Sequence, residues 1–195
     1  VIFFKHYSLV SGRMHYSDYA DSLFDSICDE INERTPVDFA SGLCGIGWGI
    51  EYLIQNEFWT GNTDDILEEI DNKVLAKNIL MEDITLETGL KGLLYYLLAR
   101  IESFERYEIF QRISVGYLKS IECLIEKKQI HKDLNPSLME RLKRCINKCV
   151  DYNIKPIIED TFFDNICYLN CPVQHYNLGI KNGLTGIALK NIITV

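Results

Sequence analysis

A short glycine phrase recurs at a fixed spacing in this chain, and it is the feature that most restricts the fold. The phrase reads Gly42-Leu43-Cys44-Gly45, Gly89-Leu90-Lys91-Gly92 and Gly183-Leu184-Thr185-Gly186. The first two copies begin 47 residues apart, and the third begins 94 residues after the second, which is twice 47. The spacing predicts one structural unit of about 47 residues that the chain uses several times.

Each glycine phrase marks the start of a predicted helix. Apolar residues follow it at helical spacing, and the residue before it, Ser41, Thr88 or Asn182, is of a type that commonly caps helices. At the position 47 residues after Gly89, where the glycines are missing, Pro136 with Asn135 before it also predicts a helix start. More polar helices are predicted between the phrases, over 63–79, 106–128 and 155–169.

These elements predict an all-α fold built of helical hairpins. Glycines at the start of the inner helices favour a closed α/α toroid over an open solenoid, because helix ends that converge on an axis need close backbone approach. We expect one domain over 1–195. A further glycine phrase, 47 residues before Gly42, would fall ahead of Val1, so we also expect the chain to begin inside a repeat.

The composition argues against several classes of partner. A net charge of −8 disfavours nucleic acid, which needs clustered lysine and arginine, and no apolar run approaches the ~20 residues of a membrane span. The cysteine count of seven is odd and suits a reducing compartment, so we expect a cytoplasmic protein. Two sets of charges are expected to be solvated: the basic residues Arg141, Lys143, Arg144 and Lys148, and the acidic residues Asp18, Asp21, Asp25, Asp29, Asp64, Asp65, Glu68 and Glu69.

The glycine phrases resemble the repeats of the lanthionine synthetase C-like family. The resemblance rests on 39–49 (FASGLCGIGWG), 89–96 (GLKGLLYY) and 176–188 (YNLGIKNGLTGIA), and their spacing covers nearly the full chain. It implies an α/α toroid with the glycine turns around a central cavity. It also implies a zinc ion held by two cysteines and a histidine, which activates a peptide cysteine thiolate for addition to dehydroalanine or dehydrobutyrine.

The sequence departs from the family at the residues that carry this chemistry. The zinc-bearing phrases, tryptophan-cysteine-x-glycine and cysteine-histidine-glycine, are missing: Trp48 is followed by Gly49, Trp59 by Thr60, and no cysteine adjoins a histidine. Asn182 stands where a family repeat commonly has histidine, and asparagine cannot exchange protons near pH 7. We therefore expect no family zinc and no other cofactor, and we assign no catalytic residue.

Other candidate site residues follow from position in the repeats. Cys44, Trp48, Tyr95 and Asn182, at the starts of inner helices, are the candidates for lining a ligand cavity. Cys44 is either a thiol whose pKa the helix dipole lowers or a small residue that fills tight space. Cys167, Cys171 and His175 form a weak candidate metal site, because their x3 spacing is looser than that of ordinary zinc sites.

The sequence thus predicts a lanthionine synthetase C-like protein that binds a peptide or small molecule in a toroid cavity, without the complete cyclase site. One alternative is a carbohydrate-active α/α toroid, for which Asp38 and Glu87 are the nearest acidic candidates. Another is an open helical scaffold that binds proteins. Pairing of two chains is expected on burial grounds, because an incomplete ring would expose apolar flanks at its ends.

Overall fold

The computed structural model describes residues 1–77, 83–103, 112–130, 133–149 and 184–193, and in these ranges all regular secondary structure is helical, as predicted. The helices are α1 (Ile2–Ser11), α2 (His15–Glu30), α3 (Leu43–Gln55), α4 (Thr63–Ile66), α5 (Glu68–Ala76), α6 (Leu90–Glu102), α7 (Val115–Lys128), α8 (Pro136–Ile146) and α9 (Leu184–Ile193). Within the described ranges, no helix combines the length and apolar character that a membrane span needs.

The chain divides into two compact units. Val1–Glu33 and Ile157–Val195 form the first unit, and Arg34–Pro156 forms the second. The prediction of a single domain over 1–195 stays a prediction.

In the first unit, α1 packs against both α2 and α9. Gly12 reverses the chain between α1 and α2 with a left-handed backbone (φ 66°), which glycine adopts without strain. Lys5 is buried in the helix pair, where its Nζ lies 2.7 Å from the Asp21 carboxylate and 2.8 Å from Ser17 Oγ. The aromatic rings of Phe4 and Tyr19 meet edge to face across the same pair.

In the second unit, α6 is the central helix. It packs against both α3 and α8, and α7 packs against α8. Every residue of α6 except Lys91 is buried, which fits its nearly continuous apolar sequence. The helices α4 and α5 connect α3 to α6 and contact α3.

The polar helices differ from their predicted bounds. The helix predicted over 63–79 is two helices with a break at Leu67, whose φ of −100° and ψ of 4° leave helical geometry. Of the helix predicted over 106–128, residues 106–111 lie outside the described residues, and the described helix α7 begins at Val115, where the Ser114 side chain accepts a hydrogen bond from the Tyr117 N–H. The predicted start at Pro136 is confirmed, since the Asn135 side chain accepts from the Ser137 N–H at 2.9 Å.

Three predicted features lie outside the described residues. They are the helix over 155–169, the cap at Asn182, and the glycine turn at Gly183, whose following helix α9 is described.

Candidate functional site

The first two glycine phrases form turns with the same geometry. Gly42 and Gly89 are the N-cap residues of α3 and α6, with extended backbone (ψ −165° and −164°). In the first turn the Leu43 N–H donates to the carbonyl oxygen of Pro36 at 2.9 Å, and in the second the Leu90 N–H donates to that of Asp83 at 3.0 Å. Both helices then continue for 13 residues.

The turns are too tight for a side chain at either glycine of the phrase. A Cβ atom on Gly45 would lie under 3.0 Å from the carbonyl oxygen of Phe39, and one on Gly92 would lie as close to that of Leu86. Real Cβ atoms essentially never approach another atom so closely. The glycines are therefore required by close backbone approach to the loop that precedes each helix, whereas the convergence of helix ends on a toroid axis stays a prediction.

The two turns lie side by side. The N–H groups of Phe39 and Ala40, in the first turn, both donate to the carbonyl oxygen of Glu87, in the second, at 2.9 Å. A Cβ on Gly92 would also meet the Cβ of Phe39 under 3.0 Å. The N-terminal ends of α3 and α6 therefore sit at the same edge of the second unit.

The predicted caps at Ser41 and Thr88 are wrong. The N-cap residues are the glycines themselves, which have no side chain to accept a hydrogen bond from the helix. The hydroxyl of Ser41 donates to the Asp38 carboxylate at 3.1 Å, and that of Thr88 donates to the Asp83 carboxylate. Hydrogen bonds from Thr88 and then Thr85 lower the pKa of Asp83.

Three of the predicted cavity residues lie in the packed interior. Cys44, Trp48 and Tyr95 are only 2%, 3% and 2% exposed. The Trp48 ring stacks on Tyr52 and meets Phe39 edge-on. Asn182, the fourth candidate, lies outside the described residues.

Burial determines the state of the Cys44 thiol. Desolvation is the largest effect on its pKa. The charge of Lys77 lowers the pKa and that of Asp38 raises it by less, and the net result is a pKa of about 12. With its pKa raised in this way, Cys44 is a neutral thiol at pH 7 and a poor nucleophile. Of its two interpretations, the geometry favours the small residue that fills tight space.

The candidate metal ligands Cys167, Cys171 and His175 lie outside the described residues. In the part of the chain that the structure describes, no three His, Cys, Asp or Glu side chains are grouped so as to hold a metal ion. Asp38, a candidate for carbohydrate chemistry, accepts hydrogen bonds from the N–H and the hydroxyl of Ser41, so it has a local structural role.

A buried polar network that sequence reasoning missed lies towards the C-terminal ends of α3 and α6. Arg100 of α6 is fully buried and contacts carboxylates from three other helices. It donates to Asp71 of α5 through Nε at 3.1 Å and through Nη2 at 2.7 Å, to Asp64 of α4 at 3.0 Å, and to Glu51 of α3. The Tyr96 hydroxyl donates to Asp71 as well. The network joins four helices of the second unit through one guanidinium group.

Burial and the neighbouring groups shift the pKa values of Arg100 and Tyr96. Burial lowers the pKa of Arg100, but hydrogen bonding to Asp71 and the charges of Glu51 and Asp71 outweigh it, and the net pKa is raised. Burial first, and then the charge of Asp71, raises the pKa of Tyr96 well above its ordinary value. An arginine that interrupts the apolar run of α6 is the sequence signal that could have indicated this network.

The solvated charges are mostly where the sequence predicts them. The exceptions begin with Asp64, which is buried against Arg100, and Asp21, which is half-buried on Lys5. Arg141 is also half-buried, because it pairs with the buried Glu102. The other predicted charges are exposed: Asp18, Asp25, Asp29, Asp65, Glu68, Glu69, Lys143, Arg144 and Lys148.

Comparison of this chain with protein families, with curated proteins and with solved structures gives no match.

Proposed function

We propose that this chain is a lanthionine synthetase C-like protein that binds a peptide or small molecule at its glycine turns, without the family's zinc-dependent cyclisation. The observation that carries the proposal is the equivalence of the turns at Gly42 and Gly89. Two turns 47 residues apart use the same carbonyl-to-amide hydrogen bond and the same steric need for glycine. This supports a repeat of the kind found in α/α toroids.

The contact between the turns supports a shared binding edge. Because the carbonyl of Glu87 accepts from two successive N–H groups of the first turn, the starts of α3 and α6 are held together. In a toroid of about 47-residue repeats, each further repeat would add a turn of the same kind. Helix N-termini at such an edge favour anionic or hydrogen-bond-accepting groups of a ligand.

The Arg100 network supports a structural role in this proposal. It ties the connecting helices α4 and α5 to α3 and α6 and so braces the helices that carry the two turns. A binding edge built on rigid helices positions its ligand more tightly than one on free loops. The acid-base chemistry of a cyclase is not assigned to any residue, because the motifs that would carry it are missing from the sequence.

The test uses a fluorescein-labelled peptide that carries one cysteine and one dehydroalanine, the groups on which the family acts. We expect saturable binding by fluorescence anisotropy. We expect no loss of peptide thiol beyond the rate in buffer. Binding that is absent up to about 1 mM peptide would refute the proposal, since that concentration corresponds to only ~4 kcal/mol of affinity.

A matched pair of variants locates the site. In Gly92→Ala the new methyl group would meet the Phe39 turn, whereas in Gly49→Ala it would enter open space. We expect weaker peptide binding in the first and unchanged binding in the second, with circular dichroism to confirm that both fold. Equal affinities for the two variants would contradict a site at the turns.

Elemental analysis of protein purified without chelator tests the zinc part separately. Stoichiometric zinc that is lost in Cys171→Ala and in His175→Ala, together with faster thiol loss from the peptide, would overturn the statement that cyclisation is absent. Peptide binding would then still stand.

A further inference from the structure

The corner between α1 and α2 carries an unusual concentration of exposed apolar side chains. Leu9 and Val10, at the end of α1, are 71% and 57% exposed, and Met14, at the start of α2, is 70% exposed. Single exposed apolar residues are ordinary, but three within six positions around one tight turn form a patch. We call Leu9, Val10 and Met14 the corner face.

An acidic stripe continues from the corner face along α2. Asp18, Asp25 and Asp29 are all exposed, and on a helix with 3.6 residues per turn positions 14, 18, 25 and 29 fall within about 60° of one another. The exposed basic side chains that flank the stripe in the sequence, Arg13 and Arg34, each lie five residues from its nearer end. The charges of Asp25 and Asp29 add to burial in raising the pKa of the Cys28 thiol, which indicates negative potential along this side of the helix.

Charge decides among the occupants of this surface. A second copy that docked through the same face would bring two acidic stripes together, which is repulsive. The chain's own segment 150–183 is outside the described residues. Its sequence has four acidic residues against two lysines, so it offers no basic complement. A separate polypeptide with basic residues beside apolar ones complements both the patch and the stripe.

We infer that the corner face and its acidic stripe form a docking surface for a basic, amphipathic segment of another polypeptide. From Met14 to Asp29 the surface extends about 22 Å along α2, at 1.5 Å per residue, which matches a partner helix of about four turns. The apolar residues of that helix would cover Leu9 and Met14, and its lysines or arginines would face Asp25 and Asp29.

The probe is a fluorescein-labelled 14-residue helical peptide made of leucine and lysine, titrated with the full chain at two salt concentrations. Leu9→Ser/Met14→Ser tests the apolar patch, with Ile66→Ser, an exposed residue of the second unit, as its control. Asp25→Asn/Asp29→Asn tests the stripe. Glu69→Gln/Glu126→Gln removes the same two charges from exposed positions elsewhere.

We expect the serine pair to weaken binding by about tenfold or more, and the asparagine pair by about fivefold at low salt. Both control variants should bind within about twofold of the parent chain. Equal weakening by the asparagine pair and its control would show only attraction to net negative charge, and would overturn the inference.

Two further measurements test the other occupants. A dimer in sedimentation velocity that Leu9→Ser/Met14→Ser dissociates would assign the surface to a second copy. A melting temperature that the same variant lowers by several degrees would show that the chain itself covers the face. Either result would overturn the inference, which predicts an unchanged oligomeric state and an unchanged melting temperature.

Discussion

Replacement of Arg100 by methionine is the most informative test of how the second unit is held together. Arg100 is fully buried and donates to the carboxylates of Asp71, Asp64 and Glu51. Methionine has a similar length, so the change removes the charge and the donors and leaves little cavity. The three carboxylates lose their shared cation while they remain away from water.

The expected cost is about 3–5 kcal/mol, the range found when one partner of a buried ion pair is removed. Each lost hydrogen bond to a charged group contributes about 1.5–3 kcal/mol, but relief of the desolvation of the guanidinium offsets part of the sum. Typical domains have only about 5–15 kcal/mol of stability in total. The variant should therefore lose a large share of its stability.

Urea denaturation, followed by circular dichroism at pH 7, measures this cost. Arg144→Met is the control, because Arg144 is exposed and pairs with Glu140 on the same helix, so its loss should cost under about 0.5 kcal/mol. If Arg100→Met is too unstable to measure, Arg100→Lys keeps the charge without the planar fork and should lose less. An Arg100→Met variant within about 1 kcal/mol of the parent would refute the reasoning, since it would show that the buried charges are not energetically coupled.

A compensating variant separates lost pairing from general damage to the core. In Arg100→Met/Glu51→Gln/Asp71→Asn, two of the orphaned charges are removed as well. We expect this triple variant to be about 1–3 kcal/mol more stable than Arg100→Met alone, because neutral amides cost less to bury unpaired than carboxylates do. Strictly additive destabilisation would contradict a charge network.

Three more outcomes follow from the turn and its cysteine. Gly45→Ala should destabilise the chain by about 1–3 kcal/mol, because its Cβ would overlap the carbonyl of Phe39. Gly49→Ala has open space around its Cβ and should stabilise α3 by about 0.5–1 kcal/mol. Equal urea midpoints for the two variants would contradict the tight turn. Iodoacetamide at pH 8 should modify exposed Cys123 long before buried Cys44, as peptide mass mapping would reveal, and comparable rates would contradict the burial. Folding raises the Cys44 pKa from 9.0 to about 12, so the neutral thiol contributes fully to the free energy of unfolding below pH 9. This contribution, up to about 4 kcal/mol, is lost as the pH rises towards 12. Cys44→Ala should make the alkaline loss of stability shallower, and an unchanged loss would contradict the raised pKa.

Glycine and capping residues predicted the starts of three helices correctly, because these signals act within a few residues of the helix end. The glycine phrases placed the starts of α3 and α6, and Asn135 with Pro136 placed the start of α8. The same reasoning assigned the caps to Ser41 and Thr88 instead of the glycines. Ser41 and Thr88 each stand one residue before the N-cap, and their hydroxyls donate to the Asp38 and Asp83 carboxylates of the preceding loops.

The candidate site was less predictable, because its contacts join residues far apart in the sequence. Cys44, Trp48 and Tyr95 were placed correctly on α3 and α6. Whether a helical position faces a cavity or a neighbouring helix depends on what packs there, and all three are buried. Asp64 was predicted to be solvated because it lies among other acidic residues in the sequence. Its burial is explained by the hydrogen bond that it accepts from Arg100 of α6.

The sequence by itself determined the helical class, the glycine turns at Gly42 and Gly89 and the start of α8, because helix propensity, capping and the steric freedom of glycine act within a few residues. Only the tertiary structure decided that the turns at Gly42 and Gly89 share a hydrogen-bonded edge and that Arg100 gathers carboxylates from three helices. Those pairings join residues 29 to 49 positions apart, a separation over which local preference carries no information. The packing of α3, α5 and α6 brings them together.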